Sequence, residues 1–192
     1  MPAPLIVDGV RSLIAPEALV RYAQPERGAP GHTSAVLLPE TAAQVAAVLR
    51  EAQRRQTPLV ISAGRTGLVE AQRPEGETVL SLEKLNRIVA IDAANATADV
   101  ECAVAVDVLN DALAPHGLVW PMEMGSTAAA TVGACVANAS AGANAVCYGT
   151  AAHLCDTAWG FWANGDDTGP QPGPRWFPPA PQVLAIDSAA PD

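Results

Sequence analysis

Ser62-Ala63-Gly64-Arg65-Thr66-Gly67-Leu68 is the stretch whose residue types most clearly suit chemistry. A pyrophosphate carries two negative charges, and a chain can hold it with backbone N–H groups if the loop bends tightly and its side chains stay small. Ala63, Gly64, Thr66 and Gly67 meet that demand; Arg65 can add a positive charge, and the Thr66 hydroxyl can donate to a phosphate oxygen. A plain tight turn is the competing reading of the same residues. Two further small-residue segments follow in order: Met124-Gly125-Ser126, opening a loop that runs to Ala130, and Thr131-Val132-Gly133, opening an alanine-rich stretch. Small side chains at such places let a ligand approach the backbone.

The elements that must position these loops follow from hydrophobic periodicity. Ala35-Val36-Leu37-Leu38 reads as a short buried strand. Thr41 and Gln44 have capping-box spacing, and Val45, Val48, Leu49 and Ala52 then recur at helical intervals, with Arg50, Arg54 and Arg55 on or near the solvated side. Pro58 introduces Leu59-Val60-Ile61, a β-branched run that stops at Ser62. Strand, helix, strand, loop is the order of a parallel βαβ unit, with the loop at the carboxyl end of a strand where ligand crevices of open α/β sheets form. The runs at 78–82, 87–91 and 98–104, separated by polar turns, read as strands of a meander edge. A second amphipathic helix runs from Val106 through Leu109 and Leu113 to Pro115, ended by His116-Gly117, and Leu118-Val119-Trp120 reads as a short extended run. A third helix is expected from Thr131 through Ala137. Beyond Asn164-Gly165 the composition turns to glycine and proline, with Trp176 and Phe177 among them, and Val183–Ile186 reads as a last strand.

Composition narrows the function classes. With 49% hydrophobic residues in 192, the chain can bury a sizeable core. Twenty acidic against 11 basic residues, a formal charge of -9, disfavour nucleic acid or an anionic membrane surface as partner. No run approaches the roughly 20 apolar residues of a spanning helix, and the start lacks the basic region of a signal peptide, so the cytoplasm is the expected compartment. Cys102, Cys135, Cys147 and Cys155 form no C-x-x-C pair and read as small buried fillers, while His32, His116 and His153 lack metal-ligand spacing. No metal site is expected. The Trp159-Gly160-Phe161-Trp162 cluster reads as core or subunit interface.

Taken together, SAGRTGL at 62–68, VLSLEKLNRIVAID at 79–92, PMEMGSTAAATVGACVANASAG at 121–142 and YGT at 148–150 resemble the successive motifs of the vanillyl-alcohol-oxidase family of FAD-binding domains, in its D-lactate, glycolate and D-2-hydroxyglutarate dehydrogenase branch. The resemblance spans residues 33–165. It implies an α+β fold, the PCMH-type FAD-binding domain of two α/β subdomains, about 33–92 and 93–165, with the second incomplete. Residues 1–32 would be a leader and 166–192 a Pro/Gly-rich continuation.

By the same resemblance, Ala63, Gly64, Arg65, Thr66, Gly67 and Leu68 would wrap the pyrophosphate, and Met124, Gly125 and Ser126 would make a second contact with it. Thr131, Val132 and Gly133 would line the flavin with backbone amides near its polar edge, and the run from Ala137 through Asn138 to Gly142 would pack on the cofactor. Arg65 stands where the family often has glycine or asparagine, Ala134 replaces a second glycine, and Ala139 and Ala141 replace Asn and Gly; Asn138 lies one position early. No histidine lies in the loop, so FAD would be non-covalent. No catalytic residue is expected in this chain: substrate and electron acceptor would be met through a missing C-terminal domain, the chain being an N-terminal fragment of an enzyme that oxidises a small-molecule D-2-hydroxy acid. LNRIVAID favours that branch over a cell-wall-precursor reductase or sugar oxidase. A non-catalytic remnant or partner-binding subunit of the same fold is the reading from a different class.

Overall fold

Two compact units divide the chain in a computed structural model, which describes residues 4–172 and 185–187. The first takes the chain up to Leu85 together with Phe161–Asp167. It holds β1 (Arg11–Leu13), α1 (Pro16–Ala23), β2 (Val36–Leu38), α2 (Ala42–Arg55), β3 (Leu59–Ser62) and β4 (Thr78–Ser81). Residues ahead of Ala35, which carry no strong periodicity in the sequence, thus supply a strand and a helix.

The sheet order is β1-β2-β4-β3, with β4 parallel to both neighbours and β1 antiparallel to β2. This corrects the expected meander: Thr78–Ser81 is a central strand of the first sheet and extends no antiparallel edge. All four of its residues are buried, the signature of a parallel strand covered on both faces. Tyr22, Val36, Leu38 and Val79 form the buried cluster around it.

The crossover helix α2 starts as its capping residues dictate. Thr41 Oγ1 accepts the Gln44 N–H at 3.2 Å, and the Gln44 side chain reaches back to accept the Glu40 N–H at 2.6 Å. Val45, Ala46, Val48 and Ala52 are its buried face. On the wet side, hydrogen bonds from Arg54 and Arg55 bring the Glu51 carboxyl down to about 2. The Asn164-Gly165 turn returns to this helix: at φ +81°, a Cβ on Gly165 would stand 2.5 Å from Arg50 Cγ and 2.7 Å from the Ala46 carbonyl oxygen, so glycine is required for the approach.

The second unit takes Asn86–Gly160 with the chain from Thr168. It holds β5 (Ile88–Asp92), β6 (Thr97–Val100), α3 (Val106–Leu113), α4 (Val132–Ala137), α5 (Ala145–Tyr148), β7 (Thr157–Ala158), β8 (Gln171–Pro172) and β9 (Ala185–Asp187). The strand order is β5-β6-β9-β7-β8. β5 and β6 form an antiparallel hairpin whose turn is fixed by Asp92, which accepts N–H bonds from Ala94 and Asn95. Val183 and Leu184 of the expected last strand lie outside the described residues, as do Trp176 and Phe177.

Among the described residues Trp120 is the largest fully buried side chain, enclosed with Leu109, Leu113, Val104, Met122, Val132 and Leu154. It forms no strand. Asn110 of α3 holds its backbone instead, accepting the Trp120 N–H at 2.7 Å and donating to its carbonyl oxygen at 3.1 Å. Cys135 and Cys155 are buried as expected, Cys102 is largely so and is pushed up to about 11 by burial, but Cys147 is exposed and fills no core. Trp162 is likewise exposed.

Truncating the centre of this core removes packing that nothing nearby can replace. Trp120→Ala is expected to cost about 3–5 kcal/mol, and Asn110→Ala about 1 kcal/mol, both measured as loss of unfolding free energy in urea.

Candidate functional site

The loop that follows β3 begins where the parallel ladder ends. Ser62 lies opposite Ser81, and the Leu82 N–H donates to the Ser62 carbonyl oxygen at 2.8 Å. Past that bond the chain turns through Arg65, a non-glycine residue at φ +58°. Its carbonyls are then tied back by side chains. Gln72, in a 3-10 turn at Glu70–Gln72, donates from Nε2 to the Gly67 oxygen at 2.7 Å and to the Arg65 oxygen at 3.4 Å, while Arg65 Nη1 reaches the Ala63 oxygen at 3.4 Å. Carbonyl oxygens at 63, 65 and 67 are therefore engaged. Among the described residues, the N–H groups from Gly64 to Leu68 donate to no backbone carbonyl. Turned-back carbonyls and free amides are what an anion-cradling loop requires. Ser62 adds a buried hydroxyl for which no partner is found among the described residues.

Arg65 is placed differently from the simple expectation of a cation aimed at a phosphate. Its guanidinium lies 3.4 Å from Glu83 Oε2 and 5.2 Å from the centroid of the Tyr22 ring. Glu83 also receives Arg21 Nη2, at 2.7 and 2.6 Å to its two oxygens, and the Tyr22 hydroxyl at 3.1 Å. Burial alone would push the Glu83 carboxyl up, but the hydrogen bond and charge of Arg21, the Tyr22 hydroxyl and the Arg65 charge outweigh it and leave the group below its usual range. Tyr22 shifts the other way: burial and the neighbouring Glu83 charge raise its hydroxyl.

In the second unit, Met124 packs on the core, Gly125 is exposed with open space where a Cβ would stand, and the Ser126 carbonyl oxygen accepts the Ala129 and Ala130 N–H groups. Gly142 is brought beside this segment: a Cβ there would lie 2.6 Å from the Glu123 carbonyl oxygen, and the next N–H, of Ala143, donates to that oxygen at 2.8 Å. Thr131 is buried, with no partner for its Oγ1 among the described residues. The Val132 and Gly133 N–H groups, however, are already committed, to the carbonyl oxygens of Val104 and Cys102 at 2.8 Å each. Gly133 is needed for that approach, since a Cβ would come 2.5 Å from Cys102 Cβ.

Asn138 is exposed and turns its amide onto its own helix, donating to the Ala134 oxygen at 2.8 Å. The next residue, Ala139, stands at φ +46°, with its N–H on the Val136 oxygen and the Ser140 N–H on the Cys135 oxygen. This is a Schellman ending in which alanine occupies the position that favours glycine. No group of three or more His, Cys, Asp or Glu able to hold a metal occurs among the described residues, and no described helix is long and apolar enough to cross a membrane.

The sequence reading missed Gln72, Glu83, Arg21 and Tyr22. Glu83 was reachable, because it follows a strand whose partner ends in the loop; nothing in the pattern marked Gln72.

Fold and loop together define an α+β module built to hold a nucleotide cofactor. The chain belongs to the FAD-binding domain family, whose model matches residues 33–165, and FAD is the cofactor this fold serves. A D-2-hydroxyglutarate dehydrogenase of Xanthomonas citri pv. viticola is 33% identical over 116 residues, covering 60% of this chain and 25% of that protein. A D-lactate dehydrogenase of Archaeoglobus fulgidus is 35% identical over 116 residues, again 60% of this chain and 26% of the relative. The chain thus spans about a quarter of the length of these curated relatives. Among solved structures, 6-hydroxy-D-nicotine oxidase from Arthrobacter nicotinovorans superposes with a TM-score of 0.74 at 22% identity, covering 87% of this chain and 36% of that one. Alkyldihydroxyacetonephosphate synthase gives 0.62 at 17% identity, over 67% and 24%. These likenesses establish the PCMH-type fold.

Two local tests follow. Ala139→Gly relieves a left-handed alanine and is expected to stabilise the protein by about 0.5–1 kcal/mol, read from urea midpoints. Glu83, depressed when folded and ordinary when unfolded, contributes stability above its unfolded value of about 4.5 and loses it as pH falls through the lower folded value. Between pH 6 and 3 the wild-type melting temperature should therefore fall more steeply than that of Glu83→Gln, by the equivalent of about 1 kcal/mol or less for a partly solvent-screened cluster.

Proposed function

We propose that this chain is the FAD-holding part of a flavin-dependent oxidoreductase that oxidises a D-2-hydroxy acid of the D-lactate, glycolate or D-2-hydroxyglutarate class. The observation that carries the reading is the loop from Ala63 to Leu68, with the carbonyls of Ala63, Arg65 and Gly67 tied back and its amides free, opened by Ser62 with its buried hydroxyl. These features fit the pyrophosphate of FAD. The D-2-hydroxy acid class rests on the relatives, which carry dehydrogenase names for D-2-hydroxyglutarate and D-lactate.

In this reading residues 33–165 are the cofactor domain, 1–32 lead into it and 166–192 continue beyond it. Ala63, Gly64, Arg65, Thr66, Gly67 and Leu68 hold the pyrophosphate, with Met124, Gly125 and Ser126 contributing to the same group. Thr131 offers its hydroxyl to the flavin; Val132 and Gly133 shape the wall, since their own N–H groups are spent on Val104 and Cys102. Gly142 shapes the segment beside Glu123, and Asn138 serves its helix end. FAD, when bound, supplies a two-electron acceptor for the hydroxyl-bearing carbon of the substrate. The base, the substrate carboxylate contacts and the electron-acceptor contacts belong to another domain of the whole enzyme, and the protein works in the cytoplasm.

The loop holds no histidine, so the flavin is dissociable. The purified chain is expected to be yellow or to take up added FAD, and to release all of it on acid precipitation, measured by flavin fluorescence in the supernatant. Thr66→Glu, which places a negative charge in the cradle, should weaken FAD by 10-fold or more, on the order of the 1.4 kcal/mol that such a factor represents, without lowering the melting temperature. A colourless protein that fails to take up FAD would overturn the reading for this chain.

A further inference from the structure

The one positive charge in the loop is already occupied. Arg65 meets Glu83 at 3.4 Å and the Ala63 carbonyl oxygen at 3.4 Å, both at the outer limit of a hydrogen bond. Glu83 is far better served by others. Arg21 bridges both of its oxygens at 2.7 and 2.6 Å, the Tyr22 hydroxyl donates at 3.1 Å and Ser81 Oγ at 3.3 Å. If Arg65 left, the carboxylate would keep a full-strength cation and two hydroxyls. Departure therefore strands no partly buried charge, which is the usual obstacle to breaking such a pair. The Tyr22 ring lies near both guanidiniums, 4.6 Å from Arg21 and 5.2 Å from Arg65, a cation–π contact that does not depend on the Glu83 carboxylate.

From this we infer that Glu83 is a positioning residue that parks Arg65, and that Arg65 changes partner from the Glu83 carboxylate to a phosphate oxygen when a pyrophosphate enters the loop. The inference rests on the reading of the loop as the FAD pyrophosphate site. Glu83 then sets cofactor affinity without touching the cofactor: it competes for the loop's only cation, and Arg21 weakens that competition by taking most of the carboxylate for itself. Removing this acidic residue outside the loop should tighten binding, and the dependence of that gain on Arg65 separates release of the cation from the mere loss of a nearby negative charge.

The test is FAD titration of the purified chain, by quenching of flavin fluorescence, across single and double variants, with ADP and riboflavin as companion probes. Glu83→Gln keeps the shape and loses the charge; it should tighten FAD and ADP by about 3- to 10-fold, the range of a partly exposed ion pair, steepen the salt dependence, and leave riboflavin, which has no phosphate, unchanged. Arg65→Met should weaken FAD by a similar factor and abolish the response to Glu83→Gln, so that the double-mutant cycle isolates the pair. Arg21→Gln, at an exposed side chain, returns the carboxylate to Arg65 and should weaken FAD by about 2- to 5-fold; it carries the test should Glu83→Gln fail to fold. Unchanged FAD affinity in Glu83→Gln, an equal shift for riboflavin, or a shift that survives in Arg65→Met overturns the positioning role while leaving the cofactor reading intact. A wild-type chain that takes up neither FAD nor ADP overturns both.

Discussion

The pairing of β3 with β4 sets most of what the first unit can do. Because the two strands run parallel with Ser62 opposite Ser81, both emerge from the sheet at the same end and at the same level. The loop after Ser62 and the turn after Ser81 are then neighbours by construction. Arg65 lies three residues past one strand end and Glu83 two residues past the other, and their meeting follows from register rather than from any special side-chain feature. A slip of one residue would turn Val79 and Leu80 out of their places in the core and carry Glu83 away from the loop together. Core packing and the electrostatics of the cradle are thus enforced by the same ladder.

The second unit shows glycines doing a different job from the one their motifs suggest. Gly133 and Gly142 sit in segments whose small residues resemble cofactor contacts, yet each is demanded by protein backbone, Gly133 by Cys102 and Gly142 by Glu123. The amides that open α4 complete an extension of the protein's own hydrogen bonding at Val104 and Cys102. In the proposed FAD site these residues would supply a wall of fixed shape, with the buried Thr131 hydroxyl as the polar group left over.

Much of this was legible from residue patterns. The α2 helix announced itself through Thr41, Gln44 and its apolar spacing, β3 through its β-branched run and abrupt stop, and the loop through small residues beside one arginine. Where reading failed, long-range pairing decided the outcome. The run at 78–81 looks the same as an edge strand until β2 and β3 are known to flank it. Arg11–Leu13 is a strand because it completes a sheet edge, pairing with Val36–Leu38, and not because its own three residues favour one. Trp120, set in a short run between a glycine and a proline, gave no periodicity to follow, and its backbone is held by Asn110 ten residues earlier. The Arg21, Tyr22, Arg65 and Glu83 cluster was invisible for the same reason: its members share no local pattern, only a place in the sheet.

The Asn164-Gly165 turn bears on the order in which the protein can assemble. Its seat against Ala46 and Arg50 belongs to the first unit, but the chain reaches it only after the whole of Asn86–Gly160 has been made. On the ribosome the parallel sheet would emerge with that part of α2 uncovered and wait for a segment more than a hundred residues downstream, so closure of the first unit is a late, high-contact-order event. A gene cut at Leu85 would therefore yield a sheet with all four of its strands but a crossover helix without the turn that seats on Ala46 and Arg50.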